Sequence, residues 1–372
     1  MSEFGLDALR RWPDVEGPEL YAVDATDRLI LDTAAAAIAS AAPGEVVTVG
    51  DRYGALTLGA VGLHGAQHVR SHQDLRSAEL ALAANAQRFE LATTSGPLDA
   101  TTLRGARVVL LQLPRSLDAL DEIAGLVAAH AAPEVRLFAG GRIKHMTLAM
   151  NDVLARWFTV VEPQLARQKS RVLVATQPVD RPLSAWPVSL HDDELDLTVC
   201  AHGAAFAGAR VDVGTRRLLG VLDRALPGAA TAVDLGCGTG ILATALASRR
   251  PALHVVATDD SAAAVGSAAA TARANGVSQR VRVHQDDAAA SVPDASVDLV
   301  LLNPPFHVGA GVHTGVAHKL FEAAARILRP GGELWTVWNS HLQYRPALER
   351  AVGPTRQVTR DAKFTVTAST RS

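Results

Sequence analysis

The sequence predicts an α/β chain of two tandem Rossmann-like domains, the second repeating the strand and helix order of the first. Three observations predict it. Short apolar runs alternate with Ala- and Leu-rich stretches at helical spacing along the chain. A glycine turn follows a short apolar strand in each half, at Gly50 to Gly54 and at Gly236 to Gly240. The two halves are in register, since Gly236 lies 186 positions after Gly50 and His254 lies 186 after His68.

A chain of 372 residues has room for two cores. Its 48% apolar and 20% charged residues are those of an ordinary globular protein. A formal charge of −2 offers nucleic acid no overall attraction, so any phosphate contact must come from local patches. Cys200 and Cys237 make neither a disulfide framework nor a metal spacing. Met1-Ser2-Glu3-Phe4 has no signal-peptide character, and no apolar stretch has the length of a membrane span. The expectation is a cytoplasmic monomer with no membrane partner.

In the first half, residues 1–30 are expected to lack regular structure, and Asp32 to cap a helix over 33–42. Val46-Val47-Thr48-Val49 reads as a strand entering Gly50-Asp51-Arg52-Tyr53-Gly54. A strand over 67–71 and a helix over 75–88 follow, then a strand over 108–111 ending in Gln112-Leu113-Pro114. A helix over 117–131 and a strand over 134–139 complete it. Residues 140 to about 197 read as a connection broken by Pro178, Pro182 and Pro187, which divides the chain into domains 1–190 and 191–372. Arg142, Lys144, Arg167, Lys169 and Arg171 cluster in that connection. As a set they are candidates for phosphate contacts; for any single one, a solvated surface is the alternative.

The second half opens with a helix over 215–225 and a strand over 231–235. Gly236, Gly238 and Gly240 then lead into a helix over 241–248. The run 254–258 ends in Asp259, and 281–284 is followed by Asp286 and Asp287. The run 297–302 ends in Asn303-Pro304-Pro305-Phe306. A helix over 315–328, a turn over 329–332, a strand over 333–339, a helix over 344–351 and an antiparallel last strand over 363–367 finish the chain.

In the register of the two halves, Gly54 falls on Gly240, but Arg52 falls on Gly238 and Gln73 on Asp259. Gln112-Leu113-Pro114 falls on Asn303-Pro304-Pro305 after a shift of about five residues. An internal duplication whose first copy lost its ligand chemistry accounts for this. The general likeness of any two doubly wound halves is the alternative.

The chemistry concentrates in the second half. Asp-x-Gly-x-Gly-x-Gly, with Asp234 on the strand, is more typical of S-adenosylmethionine enzymes than the Gly-x-Gly-x-x-Gly of dehydrogenases. Bare glycines let a ligand lie against the main chain, and the helix N-terminus behind them favours polar groups. Asp234 is then the acceptor for the cofactor ammonium, and Asp259 the ribose ligand, with a helix cap as its second reading. One of Asp286 and Asp287, by alignment Asp287, is the candidate for the adenine amine, and a turn carboxylate is the alternative. Asn303 and the Pro304 carbonyl can accept both hydrogens of a planar exocyclic amine, the prolines fix the backbone, and Phe306 can stack on the base. His307, His313 and His318 are expected to line the substrate entrance rather than bind a metal, since no metal ligand pattern surrounds them.

Asn-Pro-Pro-Phe-His, with Val211-Asp212-Val213-Gly214-Thr215 upstream, resembles the bacterial ribosomal RNA guanine-N2 methyltransferases, a class I S-adenosylmethionine-dependent family. The resemblance is strong from about residue 200 and extends more weakly before it. Gly141-Arg142-Ile143-Lys144-His145 and Ala166-Arg167-Gln168-Lys169-Ser170-Arg171 resemble the large-subunit members more than the small-subunit ones. The resemblance implies S-adenosylmethionine as cofactor and ribosomal RNA as partner, 23S before 16S. It further implies a splayed guanine beside Asn303 and a degenerate first domain that binds RNA and stabilises the second. Asn-Pro-Pro-Phe/Tyr also occurs in adenine-N6 and protein glutamine methyltransferases, which keeps those reactions as the alternative. A non-enzymatic RNA-binding protein is disfavoured, because the second half keeps every glycine and the acid.

Overall fold

A computed structural model describes residues 4–305 and 309–372, of which 309–314 are described as backbone only. The chain divides between Trp186 and Pro187.

The first unit begins with a helix, α1 (Ala25–Ser40), that starts eight residues before the expected one. Leu29, Ile30, Leu31, Ala34 and Ile38 extend its buried face back toward the N-terminus. Asp24, not Asp32, is the cap: its carboxylate accepts from the Thr26 and Asp27 amides, and Asp27 reaches back to the Asp24 amide. This reciprocal box satisfies amides that have no partner inside the helix. Asp24→Ala is expected to lower the stability of this unit by about 1 kcal/mol, read as a fall in denaturation midpoint. An unchanged midpoint would show that the box contributes nothing.

The unit continues as β1 (Val46–Val49), α2 (Ala55–His64), β2 (Arg70–His72), α3 (Arg76–Phe89), β3 (Thr94–Ser95), α4 (Ala100–Leu103), β4 (Val108–Gln112) and α5 (Leu117–His130). Then come β5 (Arg136–Arg142), α6 (Leu148–Trp157), β6 (Phe158–Pro163) and β7 (Ser170–Pro178). The expected connection from residue 140 is therefore mostly structured: α6, β6 and β7 belong to this unit. The sheet runs β3-β2-β1-β4-β5-β7-β6, with β7 antiparallel to both neighbours. Alternation along each strand serves two cores. Val46, Val108, Leu110 and Phe138 pack on the side of α1 to α3, and Val47, Val49, Val109, Leu111 and Leu137 on the side of α5 and α6. Cover on both faces explains why these strands are apolar throughout.

The second unit opens with a hairpin, β8 (Val188–Asp192) and β9 (Leu197–Ala201). Because those two strands pair, β8 goes with the second unit, and the division falls at 186/187 rather than at 190. Next come α7 (Val213–Leu219), β10 (Thr231–Leu235), α8 (Ile241–Arg249), β11 (His254–Asp259), α9 (Ala262–Ala274), β12 (Val281–Gln285) and β13 (Val297–Leu302). The chain ends with α10 (Gly309–Ile327), β14 (Leu328–Asn339), α11 (Arg345–Ala351), β15 (Thr355–Arg360) and β16 (Phe364–Thr370). The expected turn over 329–332 is absorbed into β14 beside a register shift against β13. The sheet order β12-β11-β10-β13-β14-β16-β15 is the permutation of the first unit, repeated strand for strand. β16 is antiparallel to β14, as its closeness in sequence predicts. Val49 pairs with Leu111 and Leu235 with Leu302, which sets Gln112 and Asn303 at matching strand ends.

Candidate active site

The site is built where β10, β11 and β13 end side by side. Gly236, Gly238 and Gly240 have φ of 71°, 53° and 74°, a region that glycine enters freely and other residues do not. The Gly236 and Cys237 amides donate to the Thr258 carbonyl, tying the turn to β11. A Cβ on Gly236 or Gly238 would meet nothing within 4 Å, so both face open space. A Cβ on Gly240 would instead lie 2.7 Å from the Ala268 Cβ and 2.8 Å from its Cα. Gly240 thus lets α8 and α9 pack closely.

Asp234 is buried under this turn. One carboxylate oxygen accepts from the Ala243 amide in the first turn of α8 at 2.9 Å; the other, Oδ1, is enclosed and has no partner among the described residues. Burial pushes its carboxyl up to about 7, with the nearby Asp259 charge adding and the Ala243 amide opposing. Asp259 accepts from the Gly238 amide at 2.8 Å and the Ser261 amide at 2.9 Å. The cap of α9 is Ser261, whose hydroxyl accepts from the Ala264 amide, so Asp259 braces the glycine turn instead of capping that helix. Asp286 is buried and accepts from the Ser291 amide and hydroxyl. Asp287 is half-buried and pairs with Lys319 on α10 at 2.6 Å.

At the end of β13, the Asn303 Nδ2 donates to Thr215 Oγ1 at 3.0 Å and faces the Asp212 carboxylate at 3.3 Å. Asn303 Oδ1 is enclosed and has no partner among the described residues. A buried acceptor left unpaired costs about 1–3 kcal/mol. Two such atoms, Asp234 Oδ1 and Asn303 Oδ1, belong to adjacent strand ends. With the open Cα faces of Gly236 and Gly238, they fit a nucleoside cofactor bearing an ammonium and an amine-bearing substrate beside it. Pro304 is buried and Pro305 exposed. Phe306 and His307 lie outside the described residues, as does the side chain of His313. His318 packs edge-on against Phe321 and Tyr344. Among the described residues, no group of three His, Cys, Asp or Glu side chains is placed to hold a metal, and no helix is long and apolar enough to cross a membrane.

The first unit shows how the same turn is closed. Asp51, aligned with Cys237, accepts from the Leu56 and Thr57 amides of α2 at 2.9 and 2.6 Å. Gln73, aligned with Asp259, donates to the Asp51 carbonyl at 2.9 Å. Thr48, aligned with Asp234, pairs with Thr57 at 2.7 Å. Burial pushes the Asp51 carboxyl up to about 6. The helix N-terminus that could receive a ligand is thus occupied by the chain's own carboxylate.

The cations converge on one end of the first sheet. Arg142 pairs with Ser170 and Gly141 with Arg171 across β5 and β7, and the Ile143 amide donates to the Lys169 carbonyl. Arg142 also lies 3.7 Å from Asp24, and Arg167 lies 3.3 Å from Asp32. His145 is held below its usual range by partial desolvation and by the charges of Arg115, Lys144 and Arg142. Arg115 is a member the sequence reading missed, although it directly follows Gln112-Leu113-Pro114. Asp212 and Thr215 were also missed as site residues; an Asp-x-Gly-Thr opening a helix was the available signal.

Strand order, glycine turn and the Asn-Pro-Pro strand end define a class I methyltransferase with S-adenosylmethionine as cofactor. The chain matches the RLMG N-terminal domain over residues 2–179 and the methyltransferase small domain over residues 196–368. It is 35% identical over 377 residues to ribosomal RNA large subunit methyltransferase G of Streptomyces coelicolor, covering 98% of this chain and 97% of that one. It is 34% identical to the same enzyme of Pseudomonas entomophila, covering 97% and 96%. The chain belongs to the ribosomal RNA large subunit methyltransferase G family. The 16S rRNA N2 G1207 methyltransferase of T. thermophilus, solved with AdoMet and guanosine, has the same fold, with a TM-score of 0.77. The two share 24% identity over 94% of this chain and 92% of that one.

Proposed function

We infer that the second unit transfers a methyl group from S-adenosylmethionine to the exocyclic N2 amine of one guanine in ribosomal RNA, with 23S RNA as the substrate. The observation that carries this reading is the end of β13, where Asn303 has its amide nitrogen anchored and its oxygen without a partner among the described residues. A guanine amine is a weak nucleophile because its lone pair is delocalised into the ring. Acceptors aimed at both its hydrogens, Asn303 Oδ1 and the Pro304 carbonyl, favour a pyramidal nitrogen and free the lone pair. The cofactor, when bound, supplies a methyl group already activated on a sulfonium. The protein's task is therefore alignment rather than strong base catalysis. Phe306 is assigned as the stacking partner of the base, and His307, next in sequence, as a residue of the substrate entrance. Gly236, Gly238 and Gly240 admit the cofactor, Asp234 takes its ammonium, Asp259 its ribose and Asp287 its adenine amine. The first domain, residues 1–190 as read from the sequence, binds RNA through Arg142, Lys144, Arg167, Lys169 and Arg171, and residues 191–372 carry the catalysis.

The test is tritiated methyl transfer to ribosomal RNA from a strain lacking this protein. Free 23S and 16S RNA and assembled subunits are assayed separately and digested to nucleosides. N2-methylguanosine confined to large-subunit RNA is the expected product. N6-methyladenosine, or label on no RNA, would overturn the reading.

The buried Asp234 adds a pH dependence. Its raised carboxyl contributes folding stability that is present at low pH and lost as pH rises through about 7. Cofactor binding runs the opposite way, because only the ionised form pairs with an ammonium. Affinity for S-adenosylmethionine, measured by calorimetry, is expected to rise from about pH 6 to about pH 8 and then level off. Asp234→Asn is expected to flatten that slope. Equal slopes in both proteins would remove Asp234 from the cofactor site.

A further inference from the structure

We propose that Asp212 and Thr215 are positioning residues for methyl transfer: together they hold the Asn303 amide in the one orientation that presents Oδ1 to the substrate amine. The inference rests on the reading of Asn303 as the amine acceptor.

An asparagine amide has two ends of similar shape and opposite hydrogen-bonding character. Left to itself it can turn over, presenting a donor where the reaction needs an acceptor. The Asp212 carboxylate, which only accepts, settles the choice here, and the Thr215 hydroxyl then serves as a second acceptor. Thr215 Oγ1 lies 3.0 Å from Asn303 Nδ2, and the Asp212 carboxylate lies 3.3 and 3.4 Å from it. With the nitrogen held on that side, Oδ1 is the atom that has no partner among the described residues. A turned-over amide would set Oδ1 against the Asp212 carboxylate, acceptor against acceptor, and keep at most the contact to the Thr215 hydroxyl, which can donate as well as accept. The carboxylate also draws the amide N–H toward itself, which raises electron density on Oδ1 and improves it as an acceptor.

The two partners are themselves fixed. Asp212 caps α7, its Oδ1 accepting from the Gly214 amide at 2.9 Å and the Thr215 amide at 3.2 Å. The helix is tied on two sides: Arg216 to Asp192 and Glu194 around the β8-β9 turn, and Arg217 to Asp361 at 2.8 Å. Gly214 completes the seat. A Cβ there would lie 3.3 Å from Asn303 Oδ1 and 3.1 Å from Asp212 Oδ1.

The first unit supplies a contrast. Gln112, at the strand end matching Asn303, donates to Asp27 on α1, while the cap Asp24 serves Thr26 and Asp27. There the strand-end amide meets one carboxylate on the helix. In the second unit a neutral hydroxyl takes that place, and the cap carboxylate itself turns to the amide.

Four variants test the proposal in the full-length protein, by steady-state and single-turnover methyl transfer to RNA from the deficient strain, cofactor affinity and melting temperature. Asp212→Asn keeps a good helix cap but sets an NH2 against the Asn303 NH2. Thr215→Val removes an acceptor at constant shape, and Thr215→Ser restores it. Gly214→Ala improves helix propensity while crowding Oδ1. The expected result is a fall in kcat of about 10- to 100-fold for Asp212→Asn and Gly214→Ala. Thr215→Val falls less and Thr215→Ser recovers, and in all of them KM, cofactor affinity and melting temperature stay near those of the wild type. Wild-type rates in Asp212→Asn and Thr215→Val would overturn the proposal. So would rates that fall only in step with melting temperature and cofactor affinity, because the contacts would then be structural alone. The nucleoside that the wild type methylates tests the functional reading separately. A product other than N2-methylguanosine would overturn that reading, while the variant-to-wild-type ratios would still decide the role of Asp212 and Thr215.

Discussion

Asn303→Ala is expected to lower the rate of methyl transfer by about 10²–10³-fold, the loss seen when one preorganised polar partner of a reacting centre is removed. The substitution takes away the Oδ1 acceptor and releases the contacts to Thr215 and Asp212. The strand end should survive. Pro304 and Pro305 restrict its backbone independently of the amide, and Leu302 stays in register with Leu235 and Thr336. Cofactor affinity is therefore expected to change little while kcat collapses. The measurement is a single-turnover rate at saturating cofactor, beside a calorimetric dissociation constant. A rate within about twofold of wild type would remove Asn303 from the reaction, since such a factor is under 0.5 kcal/mol.

The second large effect separates two glycines of one turn. Both Gly238 and Gly240 have positive φ, so alanine at either costs about 1–2 kcal/mol in backbone strain alone. Their surroundings differ. A Cβ on Gly238 enters open space, where the cofactor is expected to lie. A Cβ on Gly240 runs into the Ala268 backbone at 2.8 Å, and α9 cannot yield without moving its neighbours. Gly238→Ala is thus expected to weaken S-adenosylmethionine binding by at least about tenfold with a modest loss of stability. Gly240→Ala is expected to destabilise the fold by about 3 kcal/mol or more, strain and overpacking together. Chemical denaturation and calorimetry on both variants decide it. If Gly238→Ala binds the cofactor normally, the open face of that glycine is not the cofactor's path. If Gly240→Ala is as stable as Gly238→Ala, the close approach of α8 and α9 is not what requires glycine there.

The misreadings of the chain have different physical causes, some local and some long-range. The helix expected at 33–42 begins at Ala25, because the Asp24–Asp27 box is a stronger start signal than Asp32 and the apolar spacing already runs from Leu29. Residues 140–178 looked like a connection because their cations and prolines mask a sheet-forming pattern. Pairing with β5 makes β7 a strand, and that pairing is a long-range event. Asp259 was given a helix cap as its second reading. The short side chain of Ser261 is better placed for that, which leaves Asp259 for the glycine turn. The proposed adenine contact at Asp287 is shared with Lys319, 32 positions away on a helix the sequence expectation began too late.

The doubly wound order of both halves, the positive-φ glycine turn at Gly236 to Gly240, and the Asn303 strand end proposed as the amine acceptor were legible in the sequence alone. Each is written within a few neighbouring residues: strand alternation, positive-φ glycines, prolines behind an amide. The same locality made the decay of the first copy legible, since Arg52 and Gln73 stand where a glycine and an acid are needed. Only the tertiary structure decided which partners those residues take. Asn303 meets Asp212 and Thr215 across separations of 91 and 88 residues. In the first unit, Asp51 turns onto the amides of α2 and closes the site from within. The physical reason is that a side chain's partner depends on how distant elements pack, whereas a turn or a strand end depends on the backbone preferences of the residues that form it.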